Sequence, residues 1–310
     1  MRKSPASSPA ETKSEAWFEV ELRVAPVAKE AVIHQLFEWG AQGLAEDDFD
    51  ENSVLRAYFK NEQRQVVEEE LDFFLSQIGR HFPETRNPDV QLSPVDDEDW
   101  AETHKRFYPA QKLTRLFFLK PTWDTSTAVP EGMLPLILEP GQAFGTGLHA
   151  STRLCLRLLE YFVELHARPD RIRALDVGTG SGILAMALGK LGVQSVLGID
   201  NDPIALEVAD KNIHANESDN VQLSDMPLEE LEGEFEIIVS NILLETHREL
   251  AAHYRRLIVP RGQLIVSGLL AHQKAEIVEV FRLEGFTLEA SESSEDWIAL
   301  AFSVNDTVSN

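Results

Sequence analysis

The chain has 310 residues, 43% of them apolar, a formal net charge of −24 and a single cysteine, Cys155. That length holds two packed domains, the lone cysteine excludes a disulfide framework or thiolate metal cluster, and no apolar stretch approaches the roughly 20 residues that span a bilayer. The acidic balance speaks against direct docking on nucleic acid, where Lys and Arg must displace counterions; it serves solubility or draws basic partners.

The start, Met1-Arg-Lys-Ser-Pro-Ala-Ser-Ser-Pro-Ala10, has early charges but no apolar core behind them. Residues 1–16 therefore read as a disordered extension and not a signal peptide, with the cytoplasm as the default location. From Trp17 to Val24 apolar residues alternate with Glu19, Glu21 and Arg23, the pattern of a half-buried strand. A helix is predicted from Ala28 to Trp39, with Gly40 as its C-terminal cap. Strands follow at Gly43–Glu46 and Val54–Phe59, a helix at Glu62–Ile78 ending at Gly79, and a strand at Val90–Val95. The order β-α-β-β-α-β predicts a ferredoxin-like α+β domain over residues 17–95.

Residues 96–120 read as a linker, opening on Asp96-Asp-Glu-Asp99 and carrying a helix from Trp100 to Phe107. Strands are expected at Leu113–Leu119 and Leu134–Leu138. Beyond residue 150 helix and strand alternate. Helices are predicted at Ser151–His166, Gly182–Leu191, Pro203–Ala215, Leu244–Leu257 and His272–Glu284. Between them lie strands Ile172–Val177, Ser195–Asp200, Val221–Ser224, Phe235–Asn241 and Gln263–Gly268. The last two strands, Thr287–Ser291 and Trp297–Ser303, are joined by a short turn. An antiparallel closing pair is typical of class I methyltransferases, whereas a plain Rossmann dehydrogenase continues parallel. The expected fold class is thus α/β, a Rossmann-like class I methyltransferase sheet over residues 121–303, with the smaller ferredoxin-like domain before it and 304–310 as a tail.

The motifs narrow the chemistry. Residues 174–182 read Ala-Leu-Asp-Val-Gly-Thr-Gly-Ser-Gly, with glycines at 178, 180 and 182 and Ile183 where a G-x-G-x-x-G site needs its third glycine. Alternate glycines let the loop pass beneath a bulky ligand that lacks a pyrophosphate. With Asp176 before Gly178, this is the pattern of S-adenosylmethionine sites. Asp200, closing the next apolar run, is the carboxylate expected on ribose hydroxyls, and Ser224 and Asp225 are placed to contact adenine. A second loop, Glu139-Pro-Gly-Gln-Ala-Phe-Gly-Thr-Gly-Leu-His-Ala-Ser-Thr152, carries Gly141, Gly145 and Gly147 ahead of a helix start, where backbone amides bind anions. Ser151 or Thr152 can equally be the N-cap. His149 either orients or deprotonates an incoming amine or caps the helix, and the sequence leaves both roles open. Asn241 ends a buried strand at the crevice, its carbonyl able to accept from an attacking nitrogen or from the cofactor's amino group. Ile242 and Leu243 follow it in place of Pro-Pro-aromatic, which leans toward a flexible amine as target. Cys155 reads as core, and Glu229–Glu234 as a solvated loop.

These stretches resemble the ribosomal protein L11 methyltransferase family, PrmA. The matching residues are Asp97-Glu-Asp-Trp100, Glu139–Gly147 with His149 and Thr152, Asp176–Ala185, Gly198-Ile-Asp200 and Asn241-Ile-Leu243. The resemblance implies an S-adenosyl-L-methionine-dependent enzyme that methylates lysine side chains and the N-terminal amine of a basic ribosomal protein, L11; a monomer is the expected state. It implies that the N-terminal domain recognises the substrate, that Thr152, Gly178, Asp200 and Asn241 contact the cofactor, and that His149 lies near the target amine. Leu148 stands where the family has Thr, Ala150 where it has Pro, and Leu244 where it has Ala. Cofactor contacts are therefore expected from Thr152, Asp176, Gly178, Gly180, Gly182, Asp200, Asp225 and Asn241, and catalysis from Asn241 and His149. The rival readings are a lysine methyltransferase with another protein target and a non-catalytic adenosylmethionine-binding regulator; a nicotinamide enzyme fits least.

Overall fold

The computed structural model describes residues 17–41, 43–48, 52–81, 85, 89–95, 108–139, 147–294 and 296–304. The chain divides into two units, Met1–Tyr108 and Pro109–Asn310. The expected helix at 100–107 and the loop glycines Gly141 and Gly145 lie outside the described residues. Among the described residues no helix is long and apolar enough to cross a membrane.

The first unit follows its alternation. In β1 (Trp17–Val24), Phe18, Val20, Leu22 and Val24 are fully buried, and the charged residues between them face outward. The other strands are β2 (Gly43–Asp48), β3 (Ser53–Lys60) and β4 (Asp89–Val95), in sheet order β2-β3-β1-β4 with every pairing antiparallel. Helices α1 (Lys29–Glu38) and α2 (Arg64–His81) lay Val32, Ile33, Leu36, Val67, Leu71, Leu75 and Ile78 into one core with β1 and β3. This is the ferredoxin-like arrangement that the element order predicts. One boundary differs: α2 does not stop at Gly79 but runs to His81.

The second unit begins with strands where a linker was expected. Strands β5 (Gln111–Lys112), β6 (Phe117–Pro121) and β7 (Leu134–Leu138) form a three-stranded sheet, so the unit starts ahead of residue 121. The run expected as one strand, Leu113–Leu119, is broken by a turn that a buried carboxylate organises. Glu160 accepts from the Leu116 backbone N–H at 2.8 Å and from the Thr114 hydroxyl, which itself accepts from Phe117 N at 3.1 Å.

The central sheet has seven strands: β8 (Arg173–Val177), β9 (Ser195–Ile199), β10 (Val221–Ser224), β11 (Phe235–Asn241), β12 (Ile258–Leu270), β13 (Phe286–Ser294) and β14 (Trp297–Val304). Their order is β10-β9-β8-β11-β12-β14-β13, parallel up to β12 and antiparallel through the last two. Strand β8 is buried from Ala174 onward, and β11 almost throughout, as a sheet covered on both faces requires. Helices α3 (Ala150–Leu165) and α4 (Ile183–Lys190), with Ile213 of α5 (Pro203–Ala215), pack one core. Helices α6 (Leu244–Leu257) and α7 (Lys274–Leu283) pack the other. The strand order reverses between β8 and β11, so a crevice opens at their carboxyl ends.

Candidate active site

The turn leaving β8 needs its three glycines. Gly178, Gly180 and Gly182 have φ of +71°, +54° and +79°, a region where a side chain costs about 1–2 kcal/mol. Space is short as well: a Cβ on Gly178 would come 2.6 Å from Ile242 Cγ2. The turn is stitched to the end of β9. Gly178 N and Thr179 N both donate to Ile199 O, at 2.9 and 3.0 Å, and Gly180 N donates to Asp200 Oδ2 at 2.8 Å. Asp200 Oδ1 accepts from Asp202 N at 3.0 Å. Each Asp200 oxygen keeps a second acceptor site, as a pair of ribose hydroxyls would require.

Asp176 lies beneath this turn and is wholly buried. Its Oδ2 accepts from Thr179 Oγ at 2.7 Å and Ala185 N at 3.0 Å, while Oδ1 has no partner. Burial pushes its pKa up to about 7 against those two bonds, and the Asp200 charge adds in the same direction. Asp176 thus holds the turn from beneath through Thr179 and Ala185.

Asn241 closes β11. Its Nδ2 donates to Thr152 Oγ1 at 3.3 Å, and its Oδ1 is buried without a partner. Thr152 is itself fully buried in the first turn of α3. An unmatched buried carbonyl costs about 1–3 kcal/mol, so this oxygen is suited to a donor that arrives with a ligand. The chain beyond it is clamped. Ile242 packs on Gly178 from one side, and on the other a Cβ on Gly268 (φ +81°) would lie 2.3 Å from Ile242 O.

His149 caps α3. Its Nδ1 accepts from Ser151 N at 3.3 Å and lies 2.7 Å from Ser151 Oγ. Its ring meets Trp297 edge-on, with centroids 4.4 Å apart. An accepting Nδ1 leaves the ring proton of neutral His149 on Nε2, which is then a donor. The geometry therefore has His149 in the capping role; a role toward an amine would be additional and would run through Nε2. Gly147, at φ +83°, packs against Ile183, where a Cβ would come 2.7 Å from Cδ1. Ser224 Oγ accepts from Met226 N at 3.1 Å, and Asp225 is exposed just past β10. Cys155 is buried, its thiol pKa pushed up by that burial, and Glu229–Glu234 is exposed apart from Leu231.

Sequence reasoning missed two asparagines, Asn212 on α5 and Asn216 at its C-cap. Asn212, fully buried, donates from Nδ2 to Ser181 O at 2.9 Å and accepts at Oδ1 from Glu139 N at 2.8 Å. It ties the glycine turn to the start of the 139–152 loop. Asn216, one helical turn on, accepts from Ile137 N at 2.9 Å and donates to Ile137 O at 2.6 Å. The available signal was two asparagines four apart on the helix face that carries Ala205, Ala209 and Ile213, where a buried amide must have partners.

Comparisons with known proteins place the chain in one family. The family model described as "Ribosomal protein L11 methyltransferase (PrmA)" matches residues 16–305. A ribosomal protein L11 methyltransferase of Syntrophotalea carbinolica is 33% identical over 310 residues, covering 93% of this chain and 98% of that one. One of Bacillus subtilis is 32% identical over 317 residues, covering 92% and 98%. Among solved structures, a ribosomal protein L11 methylase from Lactobacillus delbrueckii subsp. bulgaricus matches with a TM-score of 0.59 and 31% identity, over 64% of this chain and 100% of that one.

Proposed function

The chain belongs to the ribosomal protein L11 methyltransferase (PrmA) family and is an S-adenosylmethionine-dependent methyltransferase; on that premise we propose that it methylates lysine and N-terminal amines of ribosomal protein L11, with Asn241 receiving the amine. The observation that carries the assignment is the buried, unpartnered Oδ1 of Asn241 at the carboxyl end of β11. The residues present fit the cofactor. Gly178, Gly180 and Gly182 leave room for a ligand to approach the backbone, and Asp200 retains acceptor sites for ribose hydroxyls. Thr152 steadies the Asn241 amide, Asp176 holds the turn from beneath, and Asp225 stands at the exposed end of β10.

The bound sulfonium supplies an activated methyl group, so the protein's work is to position and desolvate the amine. A free lysine amine has a pKa of about 10.4 and attacks only after losing its proton. A poorly solvated crevice favours the neutral form. The Asn241 carbonyl then accepts one N–H of the amine and leaves its lone pair directed at the donor, while the Nε2–H of His149 stands as a further orienting group.

The test is to incubate the purified chain with S-adenosylmethionine and the unmodified large-subunit proteins of its own organism, then measure intact masses. Methyl increments confined to L11 are expected. Increments on a different protein would keep the chemistry and overturn the target. Cofactor binding with no increments on any protein would support the non-catalytic regulator instead.

A further inference from the structure

Helix α6 carries two fully buried polar side chains, His247 and Tyr254, that the reading above does not use. They are seven positions apart, so they share one face of the helix. His247 Nε2 lies 2.9 Å from Ser267 O. A carbonyl only accepts, so Nε2 carries the ring proton and Nδ1 is left as an acceptor. The single Tyr254 O–H donates to Ser240 Oγ at 3.2 Å, with that Nδ1, 3.4 Å away, as its alternative acceptor. Ser240 Oγ donates onward to Val177 O at 2.9 Å. Burial keeps His247 neutral by lowering its pKa to about 4, and the Phe281 ring packs against both His247 and Tyr254.

What this chain of bonds holds is the rim of the crevice. Val177 immediately precedes Gly178, Ser240 precedes Asn241, and Ser267 is Asn241's partner in the β11–β12 register. Ser267 also precedes Gly268, the glycine that presses on Ile242. Side chains alternate along a strand. Ser240 therefore meets α6 on one face of the sheet, while Asn241 meets Thr152 of α3 on the other.

We infer that His247 and Tyr254 are positioning residues: from the face opposite the site they fix the carboxyl end of β11, and with it the Asn241 carbonyl, against the Gly178 turn and Gly268. The inference rests on the assignment of Asn241 to the transfer site. Hydrogen bonds in an otherwise apolar core are held in low dielectric and restrict what they join, and here the Nε2–H of His247 and the hydroxyls of Tyr254 and Ser240 all act on residues next to site residues.

The experiment pairs methyl transfer with amide hydrogen exchange. Tyr254→Phe keeps the ring and removes only the hydroxyl. It should lower kcat about tenfold, the scale of one lost hydrogen bond, with the Kd for S-adenosylmethionine within about twofold. Exchange at Gly178, Asn241 and Ile242 should speed up by a similar factor, while α5 keeps its rate. His247→Gln, whose amide can still reach Ser267 O, should stay near wild type, and His247→Leu should fall with Tyr254→Phe. In an Asn241→Ala background, Tyr254→Phe should cost no further turnover. Exchange that rises uniformly across the domain, or losses that multiply in the double variant, would overturn the inference. Unchanged turnover in Asn241→Ala alone would instead remove Asn241 from the transfer step; the exchange pattern would then decide by itself whether Tyr254 and His247 hold the strand end.

Discussion

The Asn241 side chain meets the Thr152 hydroxyl at 3.3 Å across 89 positions of sequence, and this bond decides which end of the amide is left without a partner. With Nδ2 committed to Thr152, the carbonyl is the end left open. Thr152→Val keeps the shape and removes the acceptor. It should cost transfer about tenfold through a misdirected amide, of the order of one hydrogen bond, whereas Asn241→Ala should cost about a hundredfold or more. Single-turnover rates at saturating cofactor measure both, and equal rates in all three proteins would discard the assignment.

Gly178→Ala carries two separable penalties, the left-handed backbone and the approach of Cβ to Ile242 Cγ2 at 2.6 Å. Cofactor affinity should fall at least about tenfold, given about 1–2 kcal/mol for the backbone alone. Adding Ile242→Ala removes the steric part and should recover some of that affinity. Calorimetric titration distinguishes them; no recovery in the double variant would mean that the backbone term acts alone.

The Asp176 carboxyl makes stability depend on pH. An unfolded aspartate ionises near about 3.9, while folded Asp176 keeps its proton to about pH 7. Across that window the native state binds more protons than the unfolded one, so this group's contribution falls as pH rises and levels off above about pH 7. Asp176→Asn does not titrate and should gain on the wild type as pH goes from about 4 to 7. Urea unfolding midpoints at intervals through this range test it, and a difference that is flat with pH would contradict it.

His149 separates a cap from a chemical role. His149→Ala should cost about 1 kcal/mol of stability through the lost N-cap, and His149→Asn should restore it. We expect transfer in His149→Asn to stay at least about tenfold below wild type, since asparagine supplies the cap but no imidazole. Thermal melts beside initial rates give both numbers; full recovery of rate would leave His149 a cap alone.

The net charge of −24 predicts that binding of a basic protein substrate weakens steeply between low and physiological salt, as the Debye length shrinks to about 8 Å. A salt-independent Kd would show that the acidic surface has no part in recognition.

Much of this was legible in the chain. The alternation of Trp17–Val24, the Pro203 start of α5 and the strand ending at Asn241 were read at or near their observed bounds. Each is encoded by residues within a few positions of one another, in hydrophobic period, cap chemistry and glycine spacing. The same holds for the alternate glycines at 178, 180 and 182, whose left-handed backbone is a local demand that glycine meets with least strain.

The rest depended on partners far away in sequence. The turn at Thr114–Leu116 exists because Glu160 lies buried beside it, so an apolar run that looked like one strand is a turn followed by a strand that starts only at Phe117. Asn212 looks like any helical asparagine until Ser181, 31 positions away, is found at its amide. The sequence by itself determined the fold class, the glycine turn and the residue types gathered at the crevice. Only the tertiary structure decided that Asp176 works from beneath the turn, that His149 caps α3, and that the open atom of Asn241 is its oxygen. Those are outcomes of satisfying buried polar groups one against another, and no periodicity records which partner each group will find.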